Sequence, residues 1–351
     1  MAEKLRVGIS IGDINGIGME VIIKTFLDNR MMEICTPIIY GSSKIASYHI
    51  KALEIEDFSF NSIKKAEDFN PKRANLVNLW DEEIEINLGE STNTGGKYAF
   101  QSLKTAVEDL ASGKTDVLVT APINKKNIQS DEFKFAGHTE FLADYANEEN
   151  PLMILCDEGL RVGLATGHLP LKDVAGALNK ELILAKLEVF NKTLKQDFGI
   201  EKPKIAVLGL NPHSGDGGLL GTEEQEIISP AIKQAFDNGI IAMGPYPADG
   251  LFGSSMYQKF DGILAMYHDQ GLAPFKAMAF HNGVNFTAGL PIVRTSPDHG
   301  VGYDIAGQNK ASEQSFRQAI YLACDIYKTR RMNKQLAANS LDAKKEVLEE
   351  V

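Results

Sequence analysis

Cysteine is scarce in this 351-residue chain, which has only three, lying far apart. Because an odd, scattered set cannot form a disulfide framework, we expect Cys35, Cys156 and Cys324 to be reduced thiols in the core of a cytoplasmic protein. No apolar stretch approaches the roughly 18 residues of a membrane-spanning helix. Near the N-terminus, Gly12 and Asp13 interrupt the only short apolar run, so we expect no signal peptide. These absences exclude a disulfide scaffold and predict no membrane partner.

Basic residues are outnumbered: 36 Lys and Arg stand against 47 Asp and Glu, for a formal net charge of −11. A general nucleic-acid binder normally has the opposite balance, so we expect no nucleic-acid partner. Anionic membranes should repel the chain as a whole. Any anionic ligand must therefore be held by a local group of basic residues. The chain has only seven histidines, so their positions are informative.

The common nucleotide-binding motifs are also missing. No G-x-G-x-x-G opens a helix and no G-x-x-x-x-G-K-[ST] occurs, which excludes a Rossmann fingerprint and a P-loop. The glycine-containing segment 12–18 follows the first predicted strand. Alone it is a weak signal for an anion or cofactor at a helix N-terminus.

The sequence alternates short apolar runs with longer amphipathic stretches, which indicates an α/β sandwich with a largely parallel sheet. The predicted strands are Leu5–Ile11, Pro37–Tyr40, Val117–Thr120, Arg161–Ala165, Lys204–Leu210 and Gly262–Met266. The predicted helices are Lys97–Ser112, Leu171–Phe198, Thr222–Asn238 and Ser312–Arg331. The third begins with a capping-box pattern, Thr222 and Gln225. The charged segment 333–351 is predicted to be a solvated helix or a frayed end.

Three of the histidines, His168, His213 and His268, directly follow predicted strands. Ligands of open α/β sheets bind at the carboxyl ends of strands. Three neutral imidazoles converging there would form a divalent-metal site with an open position. Alternatively, each is an ordinary hydrogen-bonded loop residue. Asp216 and Asp269 are close enough in sequence to be ligands or partners of ligands.

A candidate anion site lies downstream, at Lys276, Asn285 and Arg294. A planar guanidinium and a lysine ammonium both suit phosphate or carboxylate. The alternative is solvation at the surface, which we expect least for Arg294 because it follows the apolar run 290–293. The glycine-rich stretch 296–307 precedes a predicted helix, and is either a nucleotide-binding turn or an ordinary connecting loop.

Together these motifs resemble those of bacterial 4-hydroxythreonine-4-phosphate dehydrogenases. The matching stretches run in order along nearly the whole chain: G-D-x-x-G-I-G-x-E (12–20), T-A-P-I-N-K (120–125), G-H-T-E-F-L-A (137–143), A-T-G-H-L-P-L (165–171), G-L-N-P-H-S-G-D-G-G (209–218), G-P-Y-P-A-D (244–249), Y-H-D-Q-G (267–271) and R-T-S-x-D-H-G (294–300). The resemblance implies a two-lobed α/β/α sandwich of the isocitrate and isopropylmalate dehydrogenase type. Its cofactor-side lobe would comprise residues 1–130 plus 270–351, and its metal and dimerisation lobe residues 131–269.

The resemblance also implies a site at the interface of a homodimer. The metal ligands would be His168, His213 and His268. The substrate contacts would be His138, Thr139, Lys276, Asn285 and Arg294. The candidate cofactor contacts would be His299, Gly300 and Asp304. The candidate acid–base residues would be His138, Asp249 and Asp269.

The implied reaction is oxidation of 4-phosphohydroxy-L-threonine by NAD or NADP with one divalent metal (Zn, Mg or Co). The β-keto acid formed would decarboxylate to 3-amino-2-oxopropyl phosphate, a step in pyridoxal 5'-phosphate biosynthesis. One alternative is a paralogous dehydrogenase of 4-phospho-D-threonate or erythronate-type acids. Two others are a metal hydrolase using the same three histidines and a non-catalytic anion-binding protein.

Overall fold

The computed structural model describes residues 4–279 and 281–338, and twelve strands within them form one mixed sheet. The strands are β1 (Leu5–Ser10), β2 (Cys35–Gly41), β3 (Asn61–Ile63), β4 (Asn75–Asn78), β5 (Val117–Thr120), β6 (Leu152–Asp157), β7 (Leu160–Leu164), β8 (Lys204–Leu208), β9 (Ile241–Tyr246), β10 (Gly262–Ala265), β11 (Val284–Ala288) and β12 (Arg294–Pro297). Their order across the sheet is β3-β4-β2-β1-β5-β12-β11-β6-β7-β10-β8-β9. Pairing is parallel except at the centre, where β6 and β11 run antiparallel to their neighbours. The six predicted strands and the largely parallel sheet are therefore confirmed.

Helices cover both faces of the sheet. They are α1 (Gly18–Leu27), α2 (Met31–Ile34), α3 (Ser43–Ala52), α4 (Asn93–Ala111), α5 (His138–Tyr145), α6 (Leu171–Ala177), α7 (Lys180–Gln196), α8 (Ser229–Asp237), α9 (Ala248–Phe252), α10 (His268–Met278) and α11 (Gln314–Ala338). This arrangement confirms the predicted α/β sandwich.

The two faces are packed differently. On one face a single apolar cluster runs along the sheet and includes side chains of α1, α7, α8 and α11. On the other face there are two separate clusters. One joins β2 and β5 to α4 and α5, and the other joins β7, β8 and β10 to α9 and α10. The central strands of this second face therefore lie between two groups of covering helices.

Two helix predictions need correction. The predicted helix Leu171–Phe198 is two helices, because the chain is extended at Leu178 and the Asn179 side chain accepts a hydrogen bond from the Leu182 N–H, starting α7. In the predicted helix Thr222–Asn238, the capping box is wrong: the first turn, Glu224–Ile228, is a π-helix without a side-chain cap, and α8 follows it.

The three cysteines are free and buried, as predicted. Burial raises the pKa of each thiol, which keeps it protonated and unreactive. The predicted division into two lobes stays a prediction, since one sheet runs through both. Of the predicted C-terminal segment, residues 333–338 belong to α11 and the remainder lies outside the described residues.

Across the described ranges, no helix has both the length and the apolar character needed to span a bilayer.

Candidate functional site

A cavity of about 240 Å³ opens between the two groups of helices on the second face. Its floor is built from β5, β12, β11 and β6, which are consecutive in the sheet. Side chains of a strand alternate between faces. On β12, Thr295 therefore points to the α11 side, where it bonds the Ala319 carbonyl, while Arg294 and Ser296 line the cavity. On β11, Asn285 lines the cavity in the same way.

Arg294 is the most unusual group in this floor. It is 1% exposed, and its guanidinium donates hydrogen bonds only to hydroxyls: to Thr120 Oγ1 at 3.1 and 2.6 Å, and to Thr287 Oγ1 at 3.0 Å. Among the described residues no carboxylate forms an ion pair with it. Burial lowers the pKa of Arg294 to about 9, so it remains a cation at neutral pH. A buried cation without a counter-ion is costly unless an anion joins it.

The five predicted substrate contacts all line this cavity. His138 and Thr139 begin α5, Lys276 is on α10, and Asn285 and Arg294 are on adjacent strands. Lys276 is held by Asp298, with its Nζ 3.2 Å from Oδ1 and 3.0 Å from the carbonyl oxygen.

Four lining residues have a buried polar atom without a hydrogen-bond partner. The atoms are His138 Nε2, Glu140 Oε2, Asn285 Oδ1 and His299 Nε2. Buried polar groups are normally satisfied, so four unsatisfied ones in one cavity indicate a polar ligand. Burial, reinforced by the charges of Arg294 and Lys125, lowers the pKa of His138 far below its usual value. His138 is therefore neutral at physiological pH.

His168 lies between a carboxylate and an ammonium. Its Nδ1 is 3.2 Å from Glu140 Oε1, and its Nε2 is 2.7 Å from Lys125 Nζ. Because a lysine ammonium can only donate, Nε2 accepts and the proton of the neutral ring sits on Nδ1. The hydrogen bond from His168 helps to lower the pKa of Glu140. The Nε2 lone pair of His168 therefore faces the cavity, where it accepts from Lys125.

His268, at the start of α10, is oriented similarly. Its Nδ1 is 2.6 Å from Asp269 Oδ1, which leaves Nε2 available. The rings of His168 and His268 are 5.9 Å apart, centroid to centroid, and both line the cavity. Carboxylates that accept from Nδ1 are the usual outer partners of metal-binding histidines. This pair is therefore suited to metal binding.

His213 does not line the same cavity. It is exposed, in a turn whose backbone is left-handed from residue 213 to 218. The buried carboxylate of Glu224 holds the start of this turn, accepting from the N–H groups of Leu210 and Asn211 at 2.7 Å each. Within residues 4–279 and 281–338, no three His, Cys, Asp or Glu side chains are grouped to hold a metal. A single chain thus brings together two of the three predicted ligands.

The predicted cofactor residues lie in the loop after β12. His299 and Gly300 line the cavity, whereas Asp304 is exposed further along the loop. The loop packs on segment 12–18: the Ile17 N–H donates to the Val301 carbonyl at 2.9 Å. At Gly16 a Cβ would lie 2.3 Å from Val301 Cγ1, so only glycine permits this approach.

Of the remaining predicted residues, Asp249 on α9 and Asp216 beside His213 are exposed and do not line the cavity. Three lining residues that sequence reasoning did not assign are Thr120, Lys125 and Glu140. All three lie within the stretches 120–125 and 137–143, whose resemblance to the family's motifs could have identified them.

The cavity thus brings together the buried guanidinium of Arg294 and the imidazoles of His168 and His268. The family model described as "Pyridoxal phosphate biosynthetic protein PdxA" matches residues 33–323. The chain belongs to the PdxA family. It is therefore an enzyme, an oxidoreductase.

Individual relatives of this PdxA-family enzyme are similar to it over almost their whole length. The chain is 55% identical to a 4-hydroxythreonine-4-phosphate dehydrogenase of Bacteroides thetaiotaomicron over 97% of its length and 93% of the relative's. It is 38% identical to a protein of Oceanobacillus iheyensis named as a candidate D-threonate 4-phosphate dehydrogenase, over 94% of its length and all of the relative's. The crystal structure of a 4-hydroxythreonine-4-phosphate dehydrogenase from Klebsiella pneumoniae superposes with a TM-score of 0.79 at 32% identity, covering 93% of this chain and 98% of that one. The predicted fold class is thus shared with that enzyme.

Proposed function

We propose that the enzyme oxidises 4-phosphohydroxy-L-threonine with NAD or NADP. The β-keto acid formed loses CO₂, because the new ketone accepts the electron pair of the breaking bond, and 3-amino-2-oxopropyl phosphate results. This is a step in pyridoxal 5'-phosphate biosynthesis. The observation that carries the proposal is Arg294, a buried cation that has no carboxylate partner among the described residues and lies in the same cavity as His168 and His268. A phosphorylated hydroxy acid supplies the missing anion.

In this proposal the phosphate is bound by Arg294 and Lys276, which both line the cavity. Arg294 offers a planar fork, and Lys276 offers an ammonium positioned by Asp298. Thr139 and Asn285 add neutral groups in the same cavity. Neutral His138 can donate to a phosphate oxygen or accept a proton, depending on its tautomer. The overall negative charge of the chain is thereby locally reversed.

The histidine pair fits a divalent metal, and we propose Zn, Mg or Co there. A cation bound at this place would lower the pKa of the substrate hydroxyl and stabilise the alkoxide. His168 and His268 would hold it through Nε2, since Glu140 and Asp269 engage their Nδ1 atoms. The metal would displace the Lys125 ammonium, which donates to His168 Nε2 in its absence. Asp269 is therefore better placed to orient His268 than to act as the general base. Asp249 remains a candidate base.

His213 would reach the metal from a second copy of the chain. In support, it is exposed on a left-handed turn, beside Leu219 at 78% and Leu220 at 42% exposure. Exposed apolar side chains next to a rigid turn suit an interface. We therefore propose a homodimer with two cavities, each completed by the partner.

The nicotinamide cofactor would bind along the loop that holds His299, Gly300 and Asp304. The buried, unpartnered Nε2 of His299 is the supporting observation, since it lines the cavity and needs a polar partner. Burial lowers the pKa of His299, so a neutral imidazole is presented. The protein's part in hydride transfer is then to position the ring next to the substrate carbon.

Glu140→Gln should weaken metal binding roughly 10- to 100-fold, because the carboxylate that fixes the ring of His168 is replaced by a neutral amide. The dissociation constant, measured by competition with a metal chelator, checks this. Glu132→Gln is a matched control, since Glu132 is exposed and pairs with Lys104 at the surface. An unchanged constant in Glu140→Gln would show that this carboxylate does not support the metal site.

The proposed function is tested by a turnover screen. Purified, metal-loaded enzyme is given 4-phosphohydroxy-L-threonine or D-threonate 4-phosphate with NAD or NADP, and absorbance at 340 nm is recorded together with released CO₂. We expect reduction of the nicotinamide and CO₂ from the amino acid. Faster turnover of the threonate would identify the paralogous reaction that the Oceanobacillus relative's name suggests. Phosphate release without nicotinamide would identify a hydrolase.

A further inference from the structure

Lys125 is a cation of the cavity to which the proposed function gives no role. It follows β5 in the loop at residues 121–127, and its Nζ lies 2.7 Å from His168 Nε2. Within the described parts of the chain it makes no ion pair with a carboxylate. In contrast, Lys276 is held by Asp298 at 3.2 Å. Of the lysine and arginine side chains that line the cavity, the exposed Lys125 and the buried Arg294 thus have no direct ion pair among the described residues, whereas Lys276 has one.

The proposed substrate has two anionic ends that cannot share one cation. Its phosphate is attached through C4 and its carboxylate is C1, with the reacting hydroxyl on C3 between them. If that hydroxyl lies at the histidine pair, the carboxylate is only two bonds from the reacting carbon and must lie beside the histidines. Lys125 Nζ lies 2.7 Å from His168 Nε2, and a metal on that nitrogen would displace the ammonium while leaving it beside the histidine pair, free for a carboxylate. Arg294 instead sits on the strand floor against Thr120 and Thr287.

We propose that Lys125 binds the C1 carboxylate of the substrate, as an addition to the proposed function and resting on it. The position of Glu140 supports this assignment. Glu140, on the other side of His168, has a buried, unpartnered Oε2 in the same cavity. A cation and a carboxylate oxygen flanking one imidazole complement the carboxylate and ammonium of an α-amino acid. Arg294 and Lys276 then remain for the phosphate.

The test compares two ligands that differ only in the carboxylate. Titration calorimetry without nicotinamide measures the binding of 4-phosphohydroxy-L-threonine and of 3-amino-2-hydroxypropyl phosphate to metal-loaded enzyme. In Lys125→Met we expect the amino acid to bind roughly 10- to 100-fold more weakly, the loss of one charge-assisted hydrogen bond. The carboxylate-free analogue should bind within about twofold of its wild-type value, because its phosphate contacts are intact. Lys125→Arg should restore most of the affinity for the amino acid.

Lys126→Met is the matched control, since Lys126 is the next residue and exposed like Lys125, but does not line the cavity. Metal content is measured in every variant, so that a loss of metal is not mistaken for a loss of the carboxylate contact. Equal weakening of both ligands in Lys125→Met, or no weakening of either, would overturn the assignment of Lys125. If the wild-type enzyme binds neither ligand, the proposed function itself fails.

Discussion

Arg294→Met is expected to lower kcat/KM for the phosphorylated substrate by about 10³-fold while leaving the protein at least as stable as wild type. The value of kcat/KM falls because the substrate anion would bind in a buried site that no longer contains the guanidinium. The stability follows because Arg294 is 1% exposed and bonds only to Thr120 and Thr287 hydroxyls. Removing an uncompensated buried charge relieves its desolvation cost, and Met fills a similar volume.

Steady-state kinetics and thermal unfolding without ligands measure the two effects. Arg30→Met is the matched control, because the Arg30 side chain is 83% exposed and pairs with the nearby Asp28. Arg294→Lys should recover little activity, since an ammonium cannot reproduce the planar fork held by the two threonines. If Arg294→Met unfolds at a much lower temperature than the wild type and keeps its kcat/KM, Arg294 stabilises the fold and does not bind the ligand.

The His213→Ala variant is expected to lose its bound metal, and its turnover should fall by about 10³-fold. This is expected although His213 does not line the cavity of its own chain. The reason is that two imidazoles, His168 and His268, leave a metal bound too weakly to remain after dialysis. Metal content by elemental analysis and turnover at 340 nm check this. His281→Ala, which changes a histidine that does not line the cavity, is the control. Full metal content in His213→Ala would remove His213 from the site.

Much of the site could be predicted from the sequence because its residues lie in short motifs at strand ends. The placement of His168, His213 and His268 after β7, β8 and β10 is confirmed, and these three strands are adjacent in the sheet. The buried position of Arg294 is confirmed as well. This position could be predicted because Arg294 follows the apolar run 290–293 and because a guanidinium suits an anion-binding site.

Of the four strands in the cavity floor, only β5 was predicted from the sequence. β12 reads Arg-Thr-Ser-Pro and contains no large apolar residue, yet it is buried throughout. β6 and β11 were also missed, so the antiparallel centre of the sheet was not foreseen. The contacts of His168 with Glu140 and Lys125 depend on how α5 and the loop after β5 meet β7. Such distances are set by tertiary packing and leave no pattern along the chain.

If each active site is shared by two copies of the chain, a mixture of two inactive variants should regain activity. His213→Ala keeps an intact cavity and lacks the donated histidine, whereas His168→Ala lacks a cavity ligand and keeps the donor. Unfolding and refolding them together in equal amounts should form mixed dimers, half of all dimers, each with one complete site. We predict turnover at 340 nm of about one quarter of the wild-type value. A mixture no more active than the two variants measured separately would contradict a shared site.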